Sequence, residues 1–246
     1  MTFGFGPRIP RDGLIFHVDA GNPKSYPGSG NIWYDLSGNE LNVTINGATW
    51  DSAGFFTTTT FNELYISGSD ATLLDFEYDD PKTLICVANI PSDETGAWMS
   101  KMAQDKAGAG YWRGWDLWTT SNPGGSVGEH DINQWSVKAV RRRGTWTGRT
   151  DINDGIHMAC TTYDGSAVAT GITSYLDGVV ADTYDATTYG TLDATMVDVG
   201  THFTIGSRDG VQELAGNYYM CSIYNRELSG DEVLRYFNSF RARFGV

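Results

Sequence analysis

The sequence predicts an all-β protein, an antiparallel β-sandwich closed by one short C-terminal helix. Three observations carry that expectation. Turn dipeptides punctuate the chain at Asp12-Gly13, Asn46-Gly47, Asp154-Gly155, Asp164-Gly165, Asp177-Gly178 and Asp209-Gly210, and such pairs accept the positive φ angles of tight turns. The segments between them are rich in Thr, Val, Ile, Tyr, Phe and Trp, which fit a pleated surface. Helix signals are scarce until the last stretch of the chain.

Taken in order, residues 1–11 read as an extended arm, because Gly4, Gly6, Pro7 and Pro10 oppose regular structure. Residues 12–246 read as one domain, without a linker or an internal repeat. Leu14-Ile15-Phe16, Thr83-Leu84-Ile85-Cys86-Val87-Ala88 and Tyr218-Tyr219-Met220-Cys221-Ser222-Ile223-Tyr224 are apolar on both faces. Such strands need cover on both sides, or a central place in two stacked sheets. Ser174-Tyr175-Leu176 and Val179-Val180-Ala181, separated by Asp177-Gly178, form the clearest hairpin. Ser229 and Glu232 make a capping box. Val233, Phe237 and Phe240 then recur at helical spacing with Leu234 beside them, so an amphipathic helix should pack its Phe stripe on the sandwich.

The 246 residues are 40% hydrophobic and 19% charged, enough to build a core without staples. Thirty acidic against seventeen basic side chains give a formal charge of −13, which repels phosphate backbones and argues against nucleic acid as a partner. No apolar run approaches the roughly 20 residues of a membrane helix, so no membrane insertion is expected. The start Met1-Thr2-Phe3-Gly4-Phe5-Gly6-Pro7-Arg8 lacks the pattern of a secretory signal, and synthesis in a cytoplasm is the expectation. Cys86, Cys160 and Cys221 each sit inside an apolar run. Three cysteines without close spacing read as buried thiols rather than disulfides or a zinc site.

Three regions carry a family resemblance. Gly13-Leu14-Ile15-Phe16-His17-Val18-Asp19-Ala20-Gly21-Asn22-Pro23-Lys24-Ser25-Tyr26, with Trp33-Tyr34-Asp35-Leu36-Ser37-Gly38-Asn39, resembles the opening of laminin G-like, concanavalin A-like jelly-roll domains of tailed-phage virion proteins. Phe203-Thr204-Ile205-Gly206-Ser207-Arg208, Gly216-Asn217-Tyr218 and Ile223-Tyr224-Asn225-Arg226-Glu227-Leu228-Ser229 through Glu232 resemble the closing strands and helix of the same domains. His157-Met158-Ala159-Cys160-Thr161-Thr162-Tyr163-Asp164-Gly165 resembles their central strand and turn. Spanning about residues 12 to 244, the resemblance implies a jelly roll that binds glycans or proteins on a virion or cell surface, usually without catalysis. Most of the matching residues are turn-formers and strand-fillers, which specify fold more than function.

Several constellations suggest chemistry. Glu129-His130-Asp131-Ile132-Asn133-Gln134 approaches the Glu-x-Asp-x-Glu strand of retaining glycosidases, which need two carboxylates about 5 Å apart. The third place holds Asn133 or Gln134, and neither amide can move the proton, so no catalytic residue is expected. Gly124-Gly125-Ser126-Val127-Gly128 matches the esterase nucleophile pattern, but that motif works only as a strand-to-helix turn over a parallel sheet; a glycine-rich loop is the simpler reading. His17, His130, His157 and His202 show no metal-binding spacing. No cofactor is required. Calcium is a candidate at Asp151, Asn153 and Asp154, although Gly155 stands where an EF-hand wants an oxygen ligand, and at the cluster Asp75, Glu77, Asp79 and Asp80. Solvated acidic loops are the commoner explanation of both.

Six of the eight tryptophans fall between residues 98 and 146. In Tyr111-Trp112-Arg113-Gly114-Trp115-Asp116-Leu117-Trp118, alternation puts Trp112, Asp116 and Trp118 on one face and Tyr111, Arg113, Trp115 and Leu117 on the other, and the two faces are not expected to be equally buried. Sugar recognition wants a flat aromatic face with polar groups beside it, which makes Trp112, Arg113, Trp115 and Asp116 the candidate glycan site. The competing explanation is that these tryptophans fill the core or a subunit contact. Arg141-Arg142-Arg143 reads as a solvated edge strand or as a contact for an acidic surface.

The expected function is that of a non-enzymatic virion structural protein, a capsid decoration or a tail or fibre component. Its lectin-like fold would display loops to host surface polysaccharide. A free carbohydrate-binding module and, more remotely, a glycoside hydrolase are the alternatives. Partners would be other virion proteins and further copies of the chain, with Phe3, Phe5 and Arg8 of the arm as docking residues.

Overall fold

The computed structural model describes residues 8–59, 63–91, 95–104, 112–120, 126–132, 139–146, 154–189, 200–208 and 211–246; at 104, 120, 126–132, 139–141, 143 and 185–189 the backbone alone is described. Seventeen strands are formed among the described residues. In chain order they are β1 Leu14–Asp19, β2 Ile32–Trp33, β3 Val43–Asn46, β4 Thr49–Asp51, β5 Phe55–Thr58, β6 Glu63–Ile66, β7 Lys82–Asn89, β8 Gly96–Gln104 and β9 Trp112–Thr120, continuing with β10 Ser126–Ile132, β11 Ala139–Thr145, β12 Ile156–Tyr163, β13 Ile172–Leu176, β14 Val179–Val180, β15 Thr183–Tyr189, β16 Phe203–Ile205 and β17 Gly216–Tyr224. One helix, α1 Gly230–Phe244, ends the chain.

The strands form two antiparallel sheets. The first runs β14-β13-β12-β7-β17-β5-β4, with β1 also paired to β17; the second runs β15-β11-β10-β9-β8-β16-β6-β3-β2. Between them lies one core built from both, in which Phe16, Val18, Leu84, Cys86, Ala88 and Ile223 of the first sheet meet Trp98, Trp115, Leu117, Phe203 and Ile205 of the second. The layered, antiparallel arrangement with a C-terminal helix is the predicted one.

The strands that read as apolar on both faces are covered on both faces. Along β7, Leu84, Cys86 and Ala88 enter the inter-sheet core, whereas Ile85 and Val87 point the other way into a second core beneath α1 with Val233, Tyr236, Phe237 and Phe240. Burying these aromatic rings is worth roughly 1.5–3 kcal/mol each, and this holds a 15-residue helix against the sheet. Ser229 caps it through the Glu232 amide while Glu232 reaches back to the Ser229 amide, as expected of the capping box. The predicted hairpin forms with Leu176 opposite Val179. Its turn residues Asp177 and Gly178 both have positive φ, 52° and 79°, the requirement of a two-residue turn matched to strand twist.

Cys86, Cys160 and Cys221 are buried free thiols, and Cys86 Sγ lies 3.4 Å from Cys221 Sγ across the β7–β17 register. Part of the expected arm is tied down. Pro10 is buried and its carbonyl accepts the Tyr224 hydroxyl at 3.0 Å, and Ile9 packs on the core beneath α1. Phe3 and Phe5 lie outside the described residues. No helix among the described residues is long and apolar enough to cross a membrane.

Candidate functional site

Alternation along β1 separates its side chains. Phe16 and Val18 enter the inter-sheet core, and His17 and Asp19 face outward, toward the last turns of α1. There a cleft of about 380 Å³ opens, lined by Arg8, Ile9, Arg11, His17, Asp19, Asn22, Leu36, Met220, Ser239, Phe240 and Arg243. Buried Met220 and Phe240 give it an apolar floor beside half-buried Ile9 and Leu36, and among the described residues its lining carries three guanidinium groups and one carboxylate.

The rim is held in place. Arg243 Nη1 donates to both oxygens of Asp19 at 2.8 Å, and its guanidinium lies 4.6 Å from the Phe244 ring centre. Two glycines make the notch in which it sits. A Cβ at Gly21 would collide with the Arg243 guanidinium, and one at Gly54 would come within 2.8 Å of Gly21 Cα. Asp19 also accepts the Gly21 amide at 3.0 Å. At the back, His17 Nδ1 and Ser222 Oγ are 2.8 Å apart, and Ser222 Oγ and the Tyr236 hydroxyl are 2.7 Å apart. Burial lowers the His17 pKa from 6.5 to about 4, so the imidazole is neutral at neutral pH.

The sequence-predicted glycan residues are placed differently from an open platform. Trp115 is 1% exposed within the inter-sheet core, and its indole donates to the Leu74 carbonyl at 3.0 Å. A ring enclosed on both sides has no face for a sugar. On the opposite face of β9, Trp112, Asp116 and Trp118 are buried as well, so the expectation that the two faces would be unequally buried is corrected. The cause is Arg208, beyond β16. Its guanidinium lies 5.0 Å from the Trp112 ring and 4.1 Å from the Trp118 ring, ion-paired to Asp116, with both charged side chains 0% exposed. Gln212 accepts from Arg208 Nη1 at 3.2 Å. Two indole faces and a carboxylate therefore close around one cation. Arg113 is half-buried on β9, opposite Ala103 of β8.

Of the calcium candidates, Asp151 and Asn153 lie outside the described residues. Asp154 bonds His157 Nε2 at 2.7 Å, and Asp177 holds His157 Nδ1 at 2.8 Å. Although burial opposes it, the hydrogen bonds and charges of these two aspartates raise the His157 pKa. The carboxylate of Asp154 is thus engaged by the His157 ring. In the second acidic cluster Asp75 pairs with buried Lys101, and Asp80 accepts the Glu77 amide at 2.8 Å. Among the described residues, no group of three or more His, Cys, Asp or Glu is arranged to hold a metal.

Glu129 and Asp131 stand in β10 opposite Trp118 and Asp116 of β9, and their side chains lie outside the description. Ser126 begins β10 opposite Thr120 in an antiparallel pair, which is not the strand-to-helix turn an esterase serine needs. Arg142 overturns the reading of its run as an edge strand. β11 is paired on both sides, by β10 and β15, and the Arg142 guanidinium stacks 3.6 Å from the Tyr184 ring centre while donating to the Thr170 and Ile172 carbonyls. His202 stacks on Tyr65 at 5.1 Å.

Arg8, expected as a docking residue, lines the cleft. Sequence reasoning missed His17, Asp19 and Arg243 as partners. The available signals were the period-two spacing of His17 and Asp19 and the position of Arg243 three residues after Phe240.

No protein-family model and no curated sequence matches the chain. Among solved structures the fold is similar to a Trypanosoma rangeli sialidase in complex with the inhibitor DANA, at TM-score 0.58 and 14% identity over 97% of this chain and 34% of that one. It is also similar to the binding domain of botulinum neurotoxin serotype D, at 0.62 and 13% over 92% and 52%. The binding domain of Paraclostridial Mosquitocidal Protein 1 follows at 0.59 and 15% over 94% and 53%. The chain spans about a third of the sialidase and about half of each toxin domain. At these identities the likeness is one of fold: two stacked antiparallel sheets, shared by an enzyme and by binding domains.

Proposed function

We propose that the protein is a lectin-like binding module of concanavalin A-like jelly-roll type that takes a sugar in the cleft between β1 and the end of α1. One observation carries this reading: a preformed cleft of about 380 Å³ with an apolar floor of Met220 and Phe240 and a polar rim of Asp19, Asn22, Arg11 and Arg243. Sugars present an apolar ring face and hydroxyl edges, and small-ligand sites run from roughly 300 to 1,000 Å³. Binding without turnover agrees with the occupation of Asp19, Asp75 and Asp116 by cations. The toxin binding domains of similar fold favour the same reading. A glycan array followed by calorimetric titration tests it. Binding that disappears in Arg11→Ala and persists in Arg113→Ala is the expected result, and reducing-end release on any bound glycan would replace the reading with a glycoside hydrolase.

We further propose that the module is displayed on a virion, assembled in the host cytoplasm, and docks on neighbouring virion proteins or copies of itself through Phe3 and Phe5. The resemblance of residues 13–39, 157–165 and 203–232 to phage virion domains supports this. Because Ile9 and Pro10 are packed on the domain, deleting residues 1–7 should leave a folded, sugar-binding protein that no longer enters particles. Unchanged incorporation would refute the docking role.

A further inference from the structure

We infer that Cys86 and Cys221 are a latent disulfide: two thiols while the medium is reducing, and one covalent bond that locks β7 to β17 once it is oxidising. The inference stands apart from the cleft and from sugar binding. It begins with register. Cys86 and Cys221 lie directly opposite each other in the antiparallel β7–β17 pair, and both enter the core between the sheets. Opposite residues of such a pair have Cα atoms about 4.5–5.5 Å apart, inside the roughly 4.4–6.8 Å span of disulfides. Their sulfurs are already in contact at 3.4 Å. Closing that gap to a bond of about 2.05 Å moves each sulfur by roughly 0.7 Å, which leaves the backbone in place. The pairing is specific as well. Cys160 belongs to β12, on the far side of β7 from β17, and faces the opposite way, into the core beneath α1. The sheet itself stands between Cys160 and the other two thiols.

Burial decides when the bond can form. Thiol–disulfide exchange starts from a thiolate, whereas burial and the neighbouring Cys221 raise the Cys86 pKa well above its ordinary value. The folded sheet therefore protects its thiols, and exchange proceeds while β7 and β17 are parted. With oxidised glutathione as the oxidant, one cysteine loses its proton and its thiolate attacks the glutathione S–S bond. That step forms a mixed disulfide and releases one glutathione thiolate. The second cysteine, deprotonated in turn, attacks the protein sulfur of the mixed disulfide and releases the other. Two electrons pass from the cysteines to glutathione, and the two protons end on its thiols. The new bond joins positions 135 apart, enclosing β8–β11, β15 and β16 of the second sheet. So long a loop confines the unfolded chain far more than the folded one.

The experiment incubates the full chain in glutathione buffers graded from reduced to oxidised, just below its thermal unfolding temperature, where strands part often. Free thiols are then alkylated and the peptides mapped by mass spectrometry. The expected product in the oxidised buffers is a Cys86–Cys221 cross-link, two hydrogens lighter than the reduced chain, with Cys160 alkylated. Its unfolding midpoint should stand about 5–15 °C above that of the same chain in dithiothreitol. Cys160→Ala should keep this shift and Cys221→Ala should lose it. The mapping and the midpoint comparison use the unaltered chain, so they decide even where a variant does not fold. Three alkylated cysteines in the most oxidised buffer, a glutathione adduct that goes no further, or a cross-link through Cys160 overturns the inference. A Cys86–Cys221 bond that leaves the midpoint unchanged or lower overturns it too.

Discussion

Two arginine–aspartate pairs, one on each sheet, use the same chemistry for different ends. Arg208–Asp116 on the second sheet is sealed between Trp112 and Trp118, both side chains 0% exposed. Arg243–Asp19, at the end of the first sheet, remains 34% and 13% exposed at the rim of a cleft. A sealed pair cannot meet a ligand, and removing one partner leaves an uncompensated charge in a low-dielectric interior. The open pair contributes little stability, because water and salt screen it, but its guanidinium remains within reach of a ligand. Burial therefore separates a pair that is sealed from one that a ligand can reach.

The largest expected effect comes from opening the sealed pair. Arg208→Met should cost about 3–5 kcal/mol in denaturant unfolding, while the double change with Asp116→Leu should recover much of it, as apolar replacements of buried pairs commonly do. A loss below about 1 kcal/mol would mean that water reaches the pair and would break the comparison. At the open pair, Arg243→Gln should change stability by less than about 1 kcal/mol yet abolish ligand binding in the cleft. Gly21→Ala should imitate it by displacing the guanidinium.

A third charged cluster, His157 between Asp154 and Asp177, sharpens the comparison through pH. Its folded pKa is raised above 6.5, so the stability it contributes is complete below about 6.5 and is lost as pH rises through the folded value. Thermal unfolding of His157→Gln should therefore show a flatter decline on that alkaline side. Last and smallest, the open pair Arg226–Glu232 holds the Glu232 pKa at about 2 against 4.5, chiefly through the Arg226 hydrogen bond. Its contribution is present above 4.5 and fades as pH falls toward 2. Glu232→Gln should remove this acid-side dependence and cost about 1 kcal/mol or less of helix capping.

How legible each part was depended on whether its signal was local. The Asp177-Gly178 turn, the Ser229–Glu232 box and the two-faced apolar strands each announce themselves within a few residues, because turn sterics, capping and side-chain alternation act over that range. The period-two reading was also right to put Trp112, Asp116 and Trp118 on one face and Trp115 and Leu117 on the other. It failed on their burial, because the cover comes from Arg208, some ninety positions away. The same distance hid the cleft: Asp19 and Arg243 are 224 residues apart, and neither is remarkable in its own segment.

The sequence by itself determined the antiparallel class, the hairpin, the helix and the need to cover the two-faced strands, since these follow from backbone preferences and from apolar side chains leaving water. Only the tertiary structure decided which charges are sealed and which remain open. A charge's role depends on the dielectric around it and on partners from distant strands, and no local pattern in the chain encodes either.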